Sequence, residues 1–349
     1  MAKTLILTTF LLLTRIISCS ADFDNVDCLD ILQDVFPFVR VYRNGTIVRY
    51  LPEDFVEPSP DGDPKTGVRS KDVIIDEARN VSARIFLPAD IPQPWKKLPV
   101  LIYYHGGGFT TGSPFSTTYT NYVSSIVAKG NVIAVSVSYR LAPEFKQPIG
   151  YEDAWIAIKW VFSHAPSNGW KGTEPWLQNY ADFGRAFVGG DSAGGNIAHN
   201  TVMHAGLEKE SGVVLEGLFL NCPNFWGSTR IGREEGMPDD VVMRNNLWLL
   251  VYPNVPATFD YPAINPSLDP NIHSLGAKKL FVYVAGEDIL RDRGYLYVDT
   301  LKESLWNGSI KFFEVEGEGH VFDITNPDSD KARKMLEEVV SFVNGGNAI

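Results

Sequence analysis

The chain has 349 residues, of which 44% are hydrophobic, so it can bury a core large enough for one to three domains. Its formal net charge is −11 and it has no run of Lys and Arg. This balance argues against nucleic-acid binding, because the phosphate backbone would be repelled. Three cysteines exclude a disulfide framework, and without a Cys-x-x-Cys or His-Glu-x-x-His pattern we predict no metal site.

The first residues of the chain are typical of a targeting segment. A basic Lys3 precedes an apolar run over residues 5–13, and small residues follow around Ser20. This pattern predicts a secretory signal peptide over residues 1–20 and a mature chain of 21–349 in the extracellular space, the ER or the vacuole. The apolar run is too short for a confident membrane span. An ordinary hydrophobic N-terminal segment or a membrane anchor is the alternative.

Two further features bear on the compartment. Asn-x-Ser/Thr sequons predict glycan acceptors at Asn44, Asn80 and Asn307, although such tripeptides also arise by chance. Of the cysteines, only Cys28 and Cys222 would survive cleavage of the leader. They can either pair in one disulfide or both stay free.

The N-terminal part of the mature chain predicts a helix, a hairpin and two strands. Residues 28–35 are amphipathic and predict a short helix. Alternating residues on either side of Asn44-Gly45 predict a β-hairpin with strands at 38–42 and 46–50. A stretch rich in Pro, Asp and Gly predicts a loop, and two strands are predicted after it. The loop covers 52–67, and the strands cover 81–87 and 98–104.

Strands alternate with helices in the rest of the chain. Helical patterns cover 119–129, 152–164, 196–205, 295–304 and 331–342. Buried-strand patterns cover 132–138, 186–189, 215–220, 280–285 and 310–315. This alternation predicts an α/β fold with a mostly parallel central sheet flanked by helices on both faces.

One segment, residues 224–266, departs from that rhythm. Its large apolar residues, among many Gly and Pro, are Trp226, Met237, Trp248, Tyr252, Phe259 and Tyr261. Because long loops in compact domains are usually functional, we predict a lid inserted between sheet strands and completed by residues 22–55. The aromatic side chains suggest a roomy apolar pocket for a specialised plant metabolite, although they can equally form the core of the lid.

The sequence Gly190-Asp-Ser192-Ala-Gly194 is the first chemical motif. A serine hydroxyl is a weak nucleophile at neutral pH and needs both a nearby base and an exposed position. The Gly-x-Ser-x-Gly pattern supplies that position, because a tight strand-to-helix turn without bulky neighbours presents the serine at the carboxyl edge of the sheet. An apolar run precedes this motif and a helical pattern follows it, so Ser192 is the predicted nucleophile.

A glycine run after the strand at 98–104 predicts an oxyanion hole. Backbone N–H groups must point at the negative charge of a tetrahedral intermediate before it forms. Gly107 and Gly108 can bring bare backbone close to that charge, and Ala193 adds a third donor. We predict a structural role for the neighbouring His105.

His320 is the predicted base. It lies in a glycine-rich loop after the strand at 310–315, and it alone follows the chain order Ser, acid, His that this turn motif requires. The remaining histidines lie on helical or surface patterns, where a structural or exposed histidine is the ordinary interpretation. These are His164, His199, His204 and His273.

Asp288 is the predicted acid, since the strand at 280–285 would deliver it beside the His320 loop. Its role would be to hold the imidazole tautomer and to stabilise the imidazolium. Glu287 and Asp292 are rivals, and each can instead be a solvated carboxylate or a helix cap. We expect Asp191, inside the serine turn, to be structural.

With these motifs, the chain resembles the plant carboxylesterase family, in the hormone-sensitive-lipase-like branch of the α/β-hydrolases. The matching stretches are 103–109 (YYHGGGF), 138–144 (SYRLAPE), 151–155 (YEDAW), 189–195 (GGDSAGG), 265–266 (NP), 288–292 (DILRD) and 319–322 (GHVF). The resemblance implies an α/β-hydrolase fold, and it assigns the nucleophile to Ser192, the acid to Asp288 and the base to His320. It also assigns the oxyanion glycines to Gly107 and Gly108.

The resemblance implies hydrolysis of small-molecule carboxylic esters through an acyl-serine, without a cofactor. The same family contains dehydratases and cyclases, so a lyase is the alternative. A gibberellin-receptor-like binding protein is disfavoured because His320 is present, and an intact triad serves no binding purpose. An alcohol acceptor in place of water would make the protein a transacylase.

Overall fold

The computed structural model of the protein describes residues 30–91, 96–169, 171–252 and 258–345. Its strands are β1 (Ile31–Val35), β2 (Val39–Tyr42), β3 (Ile47–Arg49), β4 (Arg69–Asp76), β5 (Val81–Leu87), β6 (Leu98–Tyr104), β7 (Ile133–Ser138), β8 (Ala181–Asp191), β9 (Leu215–Asn221), β10 (Ala277–Ala285) and β11 (Ser309–Val315). Its helices are α1 (Thr117–Gly130), α2 (Ile149–Phe162), α3 (Pro175–Tyr180), α4 (Ser192–Leu207), α5 (Pro238–Val251), α6 (Arg291–Glu303), α7 (Phe322–Thr325) and α8 (Asp330–Val343).

Eight strands form the central sheet in the order β11-β10-β9-β8-β6-β7-β5-β4. The pairs β4–β5 and β5–β7 are antiparallel, and the other neighbours are parallel. All seven residues of β6 are buried, as expected for a central strand covered on both faces. The predicted fold class, a mostly parallel sheet flanked by helices, is confirmed.

The alternation of side chains along each strand divides the core between the two faces of the sheet. Val100, Ile102 and Tyr104 of β6 pack with α2, α4 and α6, whereas Leu101 and Tyr103 pack with α1 and α8. Both faces are therefore closed, and the carboxyl ends of the parallel strands are left to form a site.

The predicted helices of the α/β region are present within a few residues of their expected bounds. The largest differences are at α4 and α6, which begin at Ser192 and Arg291 rather than at residues 196 and 295. At α4 the reason is that β8 runs directly into the helix without a loop. Four elements were not predicted, namely strand β4 and helices α3, α5 and α7. The edge strand β4 has a charged sequence and is stabilised by pairing with β5, and the short helix α3 is capped by the Glu174 side chain.

The predicted helix over 28–35 is wrong for its described part. Residues 31–35 form strand β1, which pairs antiparallel with β2. Five residues are too few to distinguish the apolar repeat of a helix from that of a strand, so the pairing partner decides which forms. The hairpin around Asn44-Gly45 is confirmed, since β2 pairs with β3.

The N-terminal three-stranded sheet lies against the segment 224–266. Strand β1 packs on α5, and the Gln33 side-chain amide donates a hydrogen bond to the Asn246 carbonyl at 3.2 Å. Helix α5 in turn reaches the glycine loop after β6, because the Leu247 side chain lies beside Gly108. A lid formed by these two segments stays a prediction.

Some predictions fall on other parts of the chain. The signal peptide and Cys28 lie outside the described residues, whereas Cys222 is buried and forms no disulfide within them. The sequon residues Asn44, Asn80 and Asn307 are all exposed. Among the helices of the described segments, none combines the length and apolar character that crossing a bilayer requires.

Candidate active site

The turn that carries Ser192 is held open by glycines. Ser192 has a φ of +49°, an uncommon conformation for a residue with a side chain, and it follows the last residue of β8. A side chain at Gly194 would collide with the Tyr104 carbonyl oxygen, and one at Gly190 would collide with the backbone of Gly194. The glycines of the motif are therefore required for close packing around the serine.

Ser192, His320 and Asp288 form one hydrogen-bonded row. His320 Nε2 lies 2.8 Å from Ser192 Oγ, and His320 Nδ1 lies 2.6 Å from Asp288 Oδ2. Asp288 comes from the turn after β10, and His320 comes from the turn after β11. Because β8, β9, β10 and β11 are neighbours in the sheet, their carboxyl ends deliver residues that are up to 128 positions apart.

The environment of Asp288 keeps it ionised. Burial by itself would raise its pKa, but the His320 imidazole and the Arg244 guanidinium outweigh burial and lower the pKa below its usual value. The Leu290 backbone N–H also donates to Asp288 Oδ1 at 3.0 Å. A buried carboxylate that faces an imidazole Nδ1 can fix the ring tautomer and stabilise the imidazolium.

The rival carboxylates face away from the row. Asp292 accepts a hydrogen bond from the Arg233 backbone N–H at 2.8 Å, and Glu287 pairs with the Arg233 guanidinium at 2.6 Å. Neither makes a hydrogen bond to His320 among the residues that the structure describes.

The backbone N–H groups predicted to form the oxyanion hole are available to donate to a ligand. Within the described ranges, the backbone N–H groups of Gly107, Gly108 and Ala193 donate to no protein acceptor. The two glycines have φ values of +102° and +60°, a conformation that glycine adopts without strain. Gly108 and Ala193 are buried, and because buried N–H groups are normally paired, their free donors are suited to bind developing negative charge. The oxyanion role stays a prediction.

His105 lies beneath the glycine loop and acts on its shape. Its Nδ1 lies 2.8 Å from the Gly106 carbonyl oxygen, and its ring stacks on Tyr139 with centroids 4.4 Å apart. Burial lowers the pKa of His105 to about 4, so the ring is neutral at physiological pH. These contacts agree with the structural role expected from the sequence.

Asp191 connects the serine turn to the glycine loop. Its Oδ1 accepts hydrogen bonds from Tyr103 Oη at 2.7 Å and from the Gly106 N–H at 3.0 Å, and its Oδ2 accepts one from Tyr119 Oη at 3.0 Å. Burial raises the pKa of Asp191 to about 6. The residue is structural, as expected, and its partner Gly106 directly precedes the two predicted oxyanion glycines.

The other histidines lie in separate environments. His164 receives a hydrogen bond from the Glu174 N–H, His199 lies 3.0 Å from Tyr297 Oη, and His204 pairs with Glu208. His273 is exposed. The ordinary structural interpretation therefore applies to all of them.

Sequence reasoning missed three residues beside the row. Cys222 brings its ligand atom within 4.8 Å of those of Asp288 and His320, and this is the one such cluster of potential metal ligands among the described residues. Asn224 donates its backbone N–H to the Ser192 carbonyl at 2.8 Å, and Arg244 acts electrostatically on Asp288. Cys222 and Asn224 come just after β9, at the same sheet edge, and this position could have indicated from the sequence that they lie near Ser192. Arg244 offered none.

Comparisons with known proteins agree with this geometry. A family model described as the alpha/beta hydrolase fold matches residues 101–324, a range that includes all three members of the row. The chain is 42% identical to "2-hydroxyisoflavanone dehydratase" of Glycyrrhiza echinata, over 90% of this chain and 96% of that one. It is 41% identical to "Probable carboxylesterase 7" of Arabidopsis thaliana, over 89% and 97%. The solved structure of a Pyrobaculum calidifontis esterase is similar with a TM-score of 0.66 and 28% identity, covering 81% of this chain and 86% of that one.

Proposed function

This chain belongs to the α/β-hydrolase family, within its plant carboxylesterase branch, and from that membership we propose that it is a serine carboxylesterase acting on small-molecule esters. The observation that carries the proposal is the row in which His320 lies 2.8 Å from Ser192 Oγ and 2.6 Å from Asp288. Such a row activates a serine for acyl transfer, and it has no use in a protein that only binds its ligand.

The reaction follows from the contacts of each residue. His320 Nε2 removes the proton of Ser192 Oγ while the oxygen attacks the ester carbonyl, and Asp288 stabilises the resulting imidazolium. The N–H groups of Gly107, Gly108 and Ala193 bind the oxyanion. Collapse expels the alcohol, which takes the proton from His320, and leaves an acyl-serine. Water activated by His320 then releases the acid, and neither half-reaction needs a cofactor.

Replacing the nucleophile tests the proposal. Purified wild type is expected to release 4-nitrophenol from 4-nitrophenyl butyrate, and Ser192→Ala is expected to lose at least about 10⁴-fold in kcat. Ser125→Ala, on α1 at the opposite face of the sheet from α4, is the matched control and is expected to behave as wild type. A Ser192→Ala variant with the wild-type rate would show that Ser192 is not the nucleophile.

A dehydratase is the second candidate, and the 42% identity to a relative named 2-hydroxyisoflavanone dehydratase favours it. In that reaction His320 would remove a proton next to a carbonyl, the free N–H groups would bind the enolate oxygen, and the hydroxyl would leave as water. The test is to measure the loss of water from 2-hydroxyisoflavanone with the wild type and with Ser192→Ala. Dehydration that persists in Ser192→Ala, without ester hydrolysis by the wild type, would identify the lyase.

We also propose that the protein enters the secretory pathway and carries N-linked glycans. The support is the leader pattern of residues 1–20 and the exposure of Asn44, Asn80 and Asn307. Expression of the full chain in plant cells is expected to yield a mature N-terminus near residue 21 and a mass that falls on treatment with a glycosidase. An intact N-terminus together with an unchanged mass would contradict the proposal.

A further inference from the structure

Arg244, on α5, is buried without a carboxylate partner. Its exposed fraction is 5%, and no ion pair within 4.0 Å involves it among the described residues. Its Nη1 makes only a long contact of 3.5 Å to Asn224 Oδ1, and its Nε has no hydrogen-bond partner there. The guanidinium therefore carries a positive charge into the interior, and the carboxylates that act on it, Asp288 and Asp240, lie beyond ion-pair distance.

Two other buried arginines show how this chain normally compensates such a charge. Arg84, 1% exposed, makes two hydrogen bonds to Asp72 at 2.7 and 2.9 Å. Arg293, 3% exposed, makes two to Glu234 at 2.6 and 2.8 Å. Because an unpaired buried charge is strongly unfavourable, Arg244 is the exception that requires an explanation.

Arg244 lies close to residues of the candidate active site. On the same helix, Leu247 lies beside Gly108, and the Trp248 ring packs on Phe109 with centroids 5.1 Å apart. Its contact residue Asn224 donates a backbone hydrogen bond to Ser192. Burial lowers the pKa of Arg244, whereas the charges of Asp288 and Asp240 raise it.

The neighbouring polar groups are donors without acceptors. Asn224 Nδ2 and Trp248 Nε1 are fully buried and, like Arg244 Nε, find no partner in the described part of the chain. A surplus of unpaired donors is complementary to a ligand that brings oxygen acceptors, and a guanidinium is most complementary to a carboxylate.

We propose that Arg244 and Asn224 form a subsite for an ionised carboxylate of the substrate, so that the preferred esters carry a free carboxyl group besides the scissile bond. The inference rests on the proposed esterase function and names its substrate class. The carboxylate can belong to the acyl group or to the alcohol, and in both cases Arg244 is a binding and specificity residue rather than a member of the Ser192 row.

Matched ester pairs test the subsite. On the acyl side, mono(4-nitrophenyl) adipate carries a carboxylate where 4-nitrophenyl hexanoate has none. On the alcohol side, 4-acetoxybenzoate carries one where 4-acetoxybenzamide is neutral. For at least one pair, we expect wild-type kcat/KM to be about tenfold or more higher for the anion. Arg244→Met is expected to reduce that ratio to about one, and Arg244→Lys to keep part of it.

The controls separate this inference from its alternatives. Arg185→Met changes an exposed arginine at the start of β8 and is expected to keep the wild-type ratio. If Arg244→Met lowers kcat/KM equally for both esters of a pair, Arg244 acts only through Asp288, and the proposal of a carboxylate subsite is overturned. A wild type without preference in either pair would overturn it as well, whether or not the variant folds. Absence of hydrolysis of every ester tested, neutral or anionic, would instead refute the esterase function.

Discussion

Asp288 and Asp191 are both buried carboxylates near Ser192, yet their pKa values shift in opposite directions. Burial is the largest influence on each and raises the pKa of each. At Asp288 the His320 imidazole and the Arg244 guanidinium outweigh burial, whereas at Asp191 the main partners are the neutral hydroxyls of Tyr103 and Tyr119, and the pKa stays raised at about 6. A cationic neighbour therefore lowers the pKa of a buried carboxyl below its usual value, whereas neutral hydrogen-bond donors do not offset the effect of burial.

Asp323 extends the comparison. It accepts hydrogen bonds from Tyr122 Oη at 3.1 Å, from Asn221 Nδ2 at 3.0 Å and from Tyr283 Oη, and burial raises its pKa. Like Asp191 it is surrounded by neutral donors. Of these three buried acids, only Asp288 has the charged surroundings that keep a triad carboxylate ionised at low pH.

The largest expected effect follows from removing the charge of Asp288. Asp288→Asn keeps the shape of the side chain but not the charge that stabilises the imidazolium, so we expect kcat to fall by about 10⁴-fold with little change in KM. Release of 4-nitrophenol measures it. The rival acid provides the matched control, because Asp292→Asn is expected to stay within about twofold of wild type. A comparable loss in that control would assign the acid role to Asp292.

The next effect concerns stability against pH. Because folding raises the pKa of Asp191 from 3.8 to about 6, the folded state holds this proton more tightly, and the stabilising contribution is complete below about pH 4. It is lost as pH rises through 6, a change of about 3 kcal/mol in the free energy of unfolding. Urea unfolding measures the free energy of unfolding of wild type and of Asp191→Asn between pH 4 and 7. As pH rises, we expect the wild type to lose stability relative to the variant. A pH-independent difference would contradict the raised pKa.

A smaller effect is expected on catalysis by Asp191→Asn. The amide oxygen can still accept the Gly106 N–H, but without the charge the hydrogen bond weakens, and the glycine loop is held less firmly. We expect kcat to fall by about tenfold with KM nearly unchanged, because the loss concerns the oxyanion rather than substrate binding. Steady-state kinetics at pH 8, where Asp191 is ionised, measures the split. A rise in KM alone would contradict a role in positioning the loop.

The smallest effect is expected for Asp323→Asn. Among the described residues, its hydrogen-bond partners make no side-chain hydrogen bond to the glycine loop or to Ser192, so kcat at pH 8 is expected to stay within about threefold of wild type. Thermal unfolding checks that the variant is folded. A loss as large as that of Asp191→Asn would show that a buried carboxylate supports catalysis here without touching the glycine loop.

The sequence was most informative where local constraints are strict. The strands at 81–87 and 98–104 were predicted with their observed bounds, and nearly all of their residues are buried, as in strands covered on both faces. Ser192, Asp288 and His320 could be named because a glycine turn and the ends of consecutive parallel strands leave few alternatives for the chain order. Among the elements that were wrong or missed, β1 and β4 are short or charged strands that depend on a pairing partner.

The sequence by itself determined the fold class and the three residues that meet at the sheet edge. The alternation of strand and helix patterns predicts the fold class, and the spacing of the glycines and the chain order predict the residues. The tertiary structure alone decided the electrostatics. Nothing in the run around Arg244 distinguishes an exposed arginine from a buried and unpaired one, and Asp191 and Asp288 are equally plain carboxylates in the sequence. Burial and charged neighbours come from segments far apart in the chain, and these set the pKa of each acid and the charge of the site.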